Sequence, residues 1–161
     1  MGGFYRLAPK VYLSGGTVTH WQDVVMHSLS HGLGNPPIAE FYNPASFSVG
    51  SVGRPGLSLY DPMDKLKIEQ CDILFAYLEA SNPTPINVAL ELGYAKGLGK
   101  LTILCNEWTE KRFKEGNLKT LENGATWYKP WYCDLLNSWA DFCEPDFGIA
   151  QELLKQVVEY D

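Results

Sequence analysis

Short apolar runs alternate with stretches of helical spacing along the first two thirds of the chain. The runs have the length of strands and are rich in β-branched or aromatic residues. They cover residues 11–13, 38–42, 73–78 and 101–105. Between them, apolar residues recur at intervals of three and four, as on one face of a helix. The pattern therefore predicts strands that alternate with helices.

Capping residues, prolines and glycines indicate where the predicted helices begin and end. Thr19 can cap the first helix, and Asp61-Pro62 is a strong start for the second, because proline suits the first helical position. The predicted helices cover residues 19 to 32 or 34, 61 to 70, 84 to 97 or 99, and 146 to 160. Residues 44–60 are rich in Ser, Gly and Pro, and predict a long loop of the kind that often closes over a ligand.

The signal is weaker between residues 106 and 145. Lys111–Leu121 and Asp134–Phe142 favour helices, and Ala125–Tyr128 favours a short fifth strand. The alternation as a whole predicts a single α/β domain of 161 residues. We expect a doubly wound, flavodoxin- or Rossmann-like sheet of about five mainly parallel strands, with helices on both faces. Ligands bind beyond the carboxyl ends of the strands in such sheets.

The first candidate for a binding site is the turn Ser14-Gly15-Gly16-Thr17, which follows the first strand. Glycines let the backbone approach a ligand closely, and the next helix offers free amides to an anion. A tight turn without a ligand explains the same residues equally well. Asn43 follows the second strand at the same predicted edge. Because no G-x-G-x-x-G pattern or P-loop lysine is present, a dinucleotide or NTP site is not indicated.

Glu91 is the first candidate for chemistry, because it borders the apolar stripe of the predicted third helix. Burying an unpaired carboxylate is costly, so Glu91 is either an exposed surface residue or a group held for a purpose. Asn87 and Tyr94 lie four residues before it and three after it, close enough to orient it. Asp64, at the third position of the second helix, could equally serve the helix dipole.

Composition excludes several other classes of function. The net charge is −6 and no basic stripe occurs, which argues against duplex nucleic acid as a partner. No segment reaches the roughly 18 apolar residues of a membrane span, and we expect no signal peptide. The four cysteines form no C-x-x-C pair, so we expect them to be reduced, as in a cytoplasmic protein. No metal-ligand spacing occurs, and we expect neither a metal nor another cofactor.

Three segments resemble the nucleoside 2-deoxyribosyltransferase superfamily, in a divergent form. The first strand ends in a small-residue loop, Val-Tyr-Leu-Ser-Gly-Gly at residues 11–16. An Asp-x₇-Asp segment, from Asp64 to Asp72, runs into the third strand. The most specific element is Glu-Leu-Gly-Tyr-Ala at residues 91–95, followed by Gly-Lys and an apolar strand. Together the segments cover about residues 10–105 in order and spacing.

The resemblance implies that Glu91 is the nucleophile that attacks C1′ of a nucleoside, and that Asp64 contacts the substrate. It also implies a homo-oligomer, since a neighbouring subunit often completes the site in this family. Asn117-Leu118-Lys119 partly matches the segment that does so. Trp21 is placed near a strand end, where it could stack on a nucleobase. The expected substrate-binding residues are Ser14, Gly15, Gly16, Thr17, Trp21, Asn43, Asn87, Tyr94 and Asn117.

Three functions are compatible with these residues. The first is transfer of 2-deoxyribose between nucleobases. The second is hydrolysis of the N-glycosidic bond of a 2′-deoxynucleoside 5′-monophosphate, for which the turn after the first strand could bind the phosphate. The third is a non-catalytic nucleotide sensor. The acidic residue and Gly-rich step that precede the glutamate in many relatives are replaced here by residues 82–87, so a contact with a sugar hydroxyl would fall to Asn87 or Thr84.

Overall fold

In the computed structural model, five parallel strands of the described residues form one sheet. The described residues are 8–16, 19–29, 38–44, 62–79, 86–109, 118–120, 126–128 and 132–160. The strands are β1 (Lys10–Gly15), β2 (Glu40–Tyr42), β3 (Ile73–Leu78), β4 (Leu101–Asn106), β5 (Leu118–Thr120), β6 (Thr126–Tyr128) and β7 (Phe142–Glu144). The main sheet has the order β2-β1-β3-β4-β7, and β5 and β6 form a separate antiparallel pair. With that pair set aside, the order is 2-1-3-4-5, that of the flavodoxin-like fold. The predicted fold class is confirmed.

Helices cover both faces of the main sheet. They are α1 (Trp21–Ser28), α2 (Pro62–Gln70), α3 (Ile86–Gly97), α4 (Tyr132–Trp139) and α5 (Phe147–Tyr160). One core lies between the sheet and α2, α3 and α4, and the other lies between the sheet and α1 and α5. Every residue of β3 is buried, as its continuous apolar sequence predicts.

Alternation along β1 divides its side chains between the two cores. Val11 and Leu13 pack with α1 and α5, whereas Tyr12 packs on the side of α2 and α3. Ser14 has the same parity as Tyr12 and therefore faces α3. In the register of β1 with β3, Ser14 lies opposite Ala76, so the carboxyl ends of the two central strands lie close together.

The third and fourth strands and the second and last helices were predicted within one residue of their observed bounds. The elements between residues 107 and 145 were not. Residues 118–120 form a strand, so the helix predicted over Lys111–Leu121 is wrong there. The strand predicted at Ala125–Tyr128 exists as β6, but it lies outside the main sheet. The fifth main-sheet strand is β7, whose first residue was assigned to a helix.

Contacts with β4 explain why β7 exists. The side chain of Asp141 accepts hydrogen bonds from Thr102 N at 2.9 Å and Thr102 Oγ1 at 3.1 Å. Lys96 Nζ lies 2.6 Å from Asp141 Oδ1. These contacts hold the residue before Phe142 against the start of β4, so α4 ends at Trp139 and a strand follows.

The predicted helix ends are partly correct. Asp146 caps α5, since its Oδ1 accepts a hydrogen bond from Ile149 N at 2.9 Å. Thr19 does not cap α1, because its hydroxyl donates to Glu79 Oε2 at 2.6 Å; His20 occupies the cap position with φ 56°. Asp61, residues 84–85 and the loop predicted at Ala45–Tyr60 lie outside the described residues.

Within the described part of the chain, no helix is long and apolar enough to cross a bilayer.

Gly15, the last residue of β1, lies where there is no space for a side chain. A Cβ there would lie 2.8 Å from Trp21 Cζ2 and 2.9 Å from the Tyr77 carbonyl oxygen. The backbone of β3 cannot move away without breaking the sheet. The glycine therefore lets Trp21 pack directly on the end of β1.

We predict that Gly15→Ala lowers the free energy of unfolding by about 2–3 kcal/mol, because the added methyl overlaps the indole and the β3 backbone. The measurement is urea denaturation followed by circular dichroism. Gly93→Ala is the matched control: a Cβ at this helical position meets nothing within 4 Å, and we expect it to be neutral or about 1 kcal/mol more stable. Equal stability of the two variants would contradict the packing role of Gly15.

Candidate active site

The end of β1 presents two hydroxyl groups that the protein does not satisfy. Tyr12 and Ser14 are both fully buried. Neither the Tyr12 hydroxyl nor Ser14 Oγ has a hydrogen-bond partner among the described residues. Most buried polar groups in native proteins are hydrogen-bonded, so each exception calls for an explanation. Groups that a ligand satisfies are one such explanation.

Glu91 lies on α3 beside these two hydroxyls. Val88, Leu92 and Ala95 bury the inner face of α3 against the sheet and thereby hold Glu91 at its margin. Its Oε2 is buried and has no hydrogen-bond partner among the described residues. A carboxyl oxygen near the carboxyl end of β1 is thus left without a hydrogen bond from the described residues.

The surroundings of Glu91 raise its pKa to about 7. Burial is the main cause, and the negative charge of Asp64 adds to it. The Ser14 and Tyr12 hydroxyls oppose the shift, because they lie near enough to favour the carboxylate although neither makes a well-formed hydrogen bond with it. Near neutral pH, Glu91 is therefore divided between an acid and a carboxylate, the range in which acid–base and nucleophilic groups operate.

Asp64 joins the same cluster from α2. Its Oδ1 accepts a hydrogen bond from the Tyr42 hydroxyl at 2.8 Å. Tyr42 ends β2, and its ring stacks on that of Tyr12 with centroids 5.2 Å apart. Burial, followed by the charges of Glu91 and Asp64, raises the pKa of Tyr12, so its phenol keeps its proton. The structure thus brings together the two predicted catalytic residues, with Ser14 and two tyrosines.

Trp21 and the glycines of the turn serve packing in the structure. The Trp21 indole N–H donates to the Gly16 carbonyl at 2.8 Å, and Gln22 Nε2 donates to it at 3.0 Å. Trp21 is 3% exposed and contacts the aromatic rings of the core under α1 and α5. This is the face of the sheet opposite Tyr12. With the indole buried in this core, little of its ring surface is left for the expected stacking of a nucleobase.

The other expected binding residues have different surroundings. Asn43 is buried directly after β2, and Asn87 is half-buried one turn before Glu91 on α3. The Tyr94 hydroxyl donates a hydrogen bond to Glu69 on α2, and not to Glu91. Thr17 and Asn117 lie outside the described residues. Of the three that are described, Asn87 is placed best to contact a ligand at Glu91.

Tyr12 and Tyr42 were missed as site residues from the sequence. A signal for Tyr12 was available, since it alternates with Val11 and Leu13 and must share a face with Ser14. Tyr42 becomes a neighbour of Asp64 only through the pairing of β1 with β2, which no local pattern reveals. Asp72, by contrast, has a structural role, because its Oδ2 accepts a hydrogen bond from Lys10 N at 2.8 Å.

No group of three or more potential metal ligands occurs among the described residues. A carboxyl group with a pKa of about 7 can attack an electrophilic carbon or exchange a proton. Its hydroxyl neighbours can donate to, or accept from, the hydroxyls of a bound sugar.

We predict that Glu91→Gln stabilises the protein at alkaline pH. In the unfolded chain this carboxyl ionises near 4.5, but in the folded protein it keeps its proton to about pH 7. Ionisation therefore destabilises the fold as pH rises from about 4.5 to 7, and glutamine removes this cost. We expect the stability gained over wild type to be about 2–3 kcal/mol larger at pH 8 than at pH 5.

Urea denaturation at the two pH values measures this difference. Glu152→Gln, at an exposed position of α5, is the control and should give no such pH-dependent gain. A gain for Glu91→Gln that is the same at pH 5 and pH 8 would show that Glu91 is not held in its buried, proton-retaining state.

Two solved structures to which this chain is similar are 2-deoxyribosyltransferases. The enzyme from Leishmania mexicana matches 92% of this chain and 97% of its own, with 19% identity and a TM-score of 0.56. The enzyme from the psychrotolerant bacterium Bacillus psychrosaccharolyticus matches 59% of this chain and 70% of its own, with 22% identity and a TM-score of 0.45. No protein-family model and no curated protein matches the sequence. Over nearly its whole length, the chain therefore has the fold of the 2-deoxyribosyltransferase from Leishmania mexicana.

Proposed function

We propose that the protein is an enzyme of the nucleoside 2-deoxyribosyltransferase type. It cleaves the N-glycosidic bond of a deoxynucleoside with Glu91 as nucleophile and transfers the 2-deoxyribose to another nucleobase. The observation that carries the proposal is the buried Oε2 of Glu91, which has no hydrogen-bond partner among the described residues and lies beside the similarly unpaired hydroxyls of Ser14 and Tyr12. The fold shared with the Leishmania enzyme and the motif around Glu91 support it.

The first step forms a covalent intermediate. A carboxylate oxygen of Glu91 bonds to C1′ while the C1′–N bond breaks, and the departing base takes the electron pair of that bond and a proton from water. A buried carboxylate suits this step, because it stabilises positive charge on an oxocarbenium-like sugar with little screening by water. Attack requires ionised Glu91, so the reaction depends on loss of a proton from a group with a pKa of about 7.

The second step returns the enzyme to its starting state. A ring nitrogen of the incoming base bonds to C1′, the ester bond to Glu91 breaks, and the base loses a proton. In this proposal Ser14 and Tyr12 bind sugar hydroxyls, and Asp64 accepts a hydrogen bond from the base or the sugar. Asn87, one turn before Glu91, is the further contact we assign to the sugar.

Hydrolysis of a deoxynucleoside 5′-monophosphate is the second candidate. In this case water replaces the incoming base, and a phosphate binds at the turn after β1. One observation favours it: α1 begins after that turn without a side-chain cap on its first turn. Helix N-termini of this kind attract anions.

We predict that the wild-type protein, incubated with a deoxynucleoside and a second base, forms the exchanged nucleoside. Glu91→Gln should lower turnover by at least about 10³-fold, because the nucleophile is lost. Chromatography of the products is the measurement, and Glu152→Gln serves as the control with wild-type turnover. Free base without an acceptor, from 5′-monophosphates, would favour hydrolysis. Nucleotide binding without turnover would favour a sensor, and full activity of Glu91→Gln would refute the mechanism.

We also propose that the protein works as a homo-oligomer. Four apolar side chains on α2 and α3 are exposed close to Asp64 and Glu91, although apolar surface of this kind is usually covered. They are Met63, Leu66, Ile86 and Leu90, which are 42%, 42%, 55% and 57% exposed. A second copy that covers them would lie beside Asp64 and Glu91.

We also propose that the protein is cytoplasmic. Its four cysteines are free thiols, which suits the reducing environment of the cytoplasm.

We predict that the double variant Leu66→Lys/Leu90→Lys is a monomer, because a charged group in an apolar interface is costly. Sedimentation velocity measures the oligomeric state, and Ile149→Lys, on the exposed face of α5, is the control. A wild-type protein that sediments as a monomer would refute the assembly. A double variant that remains an oligomer would place the interface elsewhere.

A further inference from the structure

Tyr42 contacts two members of the candidate site at once. It is the last residue of β2 and pairs directly with Tyr12 in the parallel register of the two strands. The two rings stack at an interplanar angle of 25°. The Tyr42 hydroxyl donates to Asp64 Oδ1 at 2.8 Å, so a single side chain links β1 to α2.

The surroundings of Tyr42 restrict it to this arrangement. The residue is buried, so its ring and hydroxyl have few alternative positions. Lys67 Nζ, one turn after Asp64 on α2, lies 5.8 Å from the centre of the Tyr42 ring. A cation at this distance is attracted by the ring face and helps to hold it.

A hydroxyl that donates to a carboxylate has two effects. It fixes the rotation of the carboxyl group, and it favours the ionised form over the protonated form. At Asp64, both effects present the substrate with a carboxylate oxygen that has a defined position and accepts hydrogen bonds. The stacked ring has a separate effect, since it limits the movement of Tyr12 beside Glu91.

We propose that Tyr42 is a positioning residue of the candidate site, which holds Asp64 through its hydroxyl and Tyr12 through its ring. The inference rests on the proposed function, because Asp64 and Tyr12 matter only as neighbours of Glu91. Tyr42 itself need not touch the substrate. Its two contacts can be removed separately, which makes the inference testable.

Two variants separate the contacts. Tyr42→Phe keeps the ring and removes the hydroxyl, whereas Tyr42→Leu removes both. We expect Tyr42→Phe to lower kcat/KM about tenfold and Tyr42→Leu to lower it further. Combined with Asp64→Ala, Tyr42→Phe should have little additional effect, because both changes remove the same hydrogen bond. Effects that multiply fully in the double variant would overturn the inference.

Tyr77→Phe is the matched control. Tyr77 is also buried and its hydroxyl also donates to a carboxylate, that of Glu107. It belongs to the core on the opposite face of the sheet, under α1 and α5. A general effect of removing a buried hydroxyl would appear in this variant as well. We expect its kcat/KM to equal that of wild type, and a tenfold loss there would overturn the specific role of Tyr42.

A spectroscopic test does not depend on activity. Among the described residues, the titratable groups that face Asp64 include Tyr12 from β1, Tyr42 from β2 and Glu91 from α3. Lys67, one turn later on α2, lies over the Tyr42 ring. With the side-chain carboxyl carbons of aspartate labelled with ¹³C, NMR follows the titration of Asp64, whose signal is assigned by its loss in Asp64→Asn. In Tyr42→Phe the carboxylate loses a donor, so its midpoint should move to higher pH.

The two readouts distinguish the possible failures. A wild-type protein with no glycosidic activity refutes the proposed function, but the NMR titration still tests whether Tyr42 holds Asp64. An Asp64 midpoint that is the same in wild type and Tyr42→Phe overturns the inference, whatever the activity. A shifted midpoint with unchanged kcat/KM in an active enzyme overturns the positioning role. A shifted midpoint with reduced kcat/KM supports it.

Discussion

Side chains on a β-strand point alternately to the two faces of its sheet, and β1 lies inside a sheet that helices cover on both faces. Val11 and Leu13 therefore enter one core, while Tyr12 and Ser14 are forced into the other. A one-residue slip of β1 would exchange the two sets, burying the hydroxyls among the aromatic rings under α1 and α5. The pairing of β1 with both β2 and β3 excludes that slip. The candidate site thus depends on the register of a single strand.

Glu91 is the residue of the site that most opposes folding. A carboxyl with a buried, unpaired oxygen works against folding, and its neighbours Tyr12 and Ser14 are unpaired as well. The apolar contacts of α3 with the sheet hold Glu91 there nonetheless, through Val88, Leu92 and Ala95. Groups that are unsatisfied in the free protein are groups that a ligand can satisfy. The arrangement resembles a preorganised site, whose polar atoms need little movement when a substrate arrives.

The sequence predicts the elements that are long or strongly marked. The run 73–78 and the Asp61-Pro62 start determine β3 and α2 by local chemistry alone. Glu91 and Asp64 stood out through a motif, not through their helical position. What the sequence does not reveal depends on distant contacts: β7 is three residues long and needs Asp141 and Thr102, and Tyr42 meets Asp64 only through strand pairing. Trp21 lies near a strand end as expected, but tertiary packing directs its side chain into the core under α1 and α5, on the other face of the sheet.

Tyr12, Tyr42, Asp64 and Glu91 come from four separate elements spread over eighty positions of the chain. Contacts between residues so far apart in sequence close large loops, and they form late relative to local structure. A chain that has folded only its helices has no site, and a chain that lacks β2 has no partner for Asp64. Occupancy of the site would therefore report on completion of the fold, and a substrate bound there would stabilise the docking of β2 and α2 against the central strands.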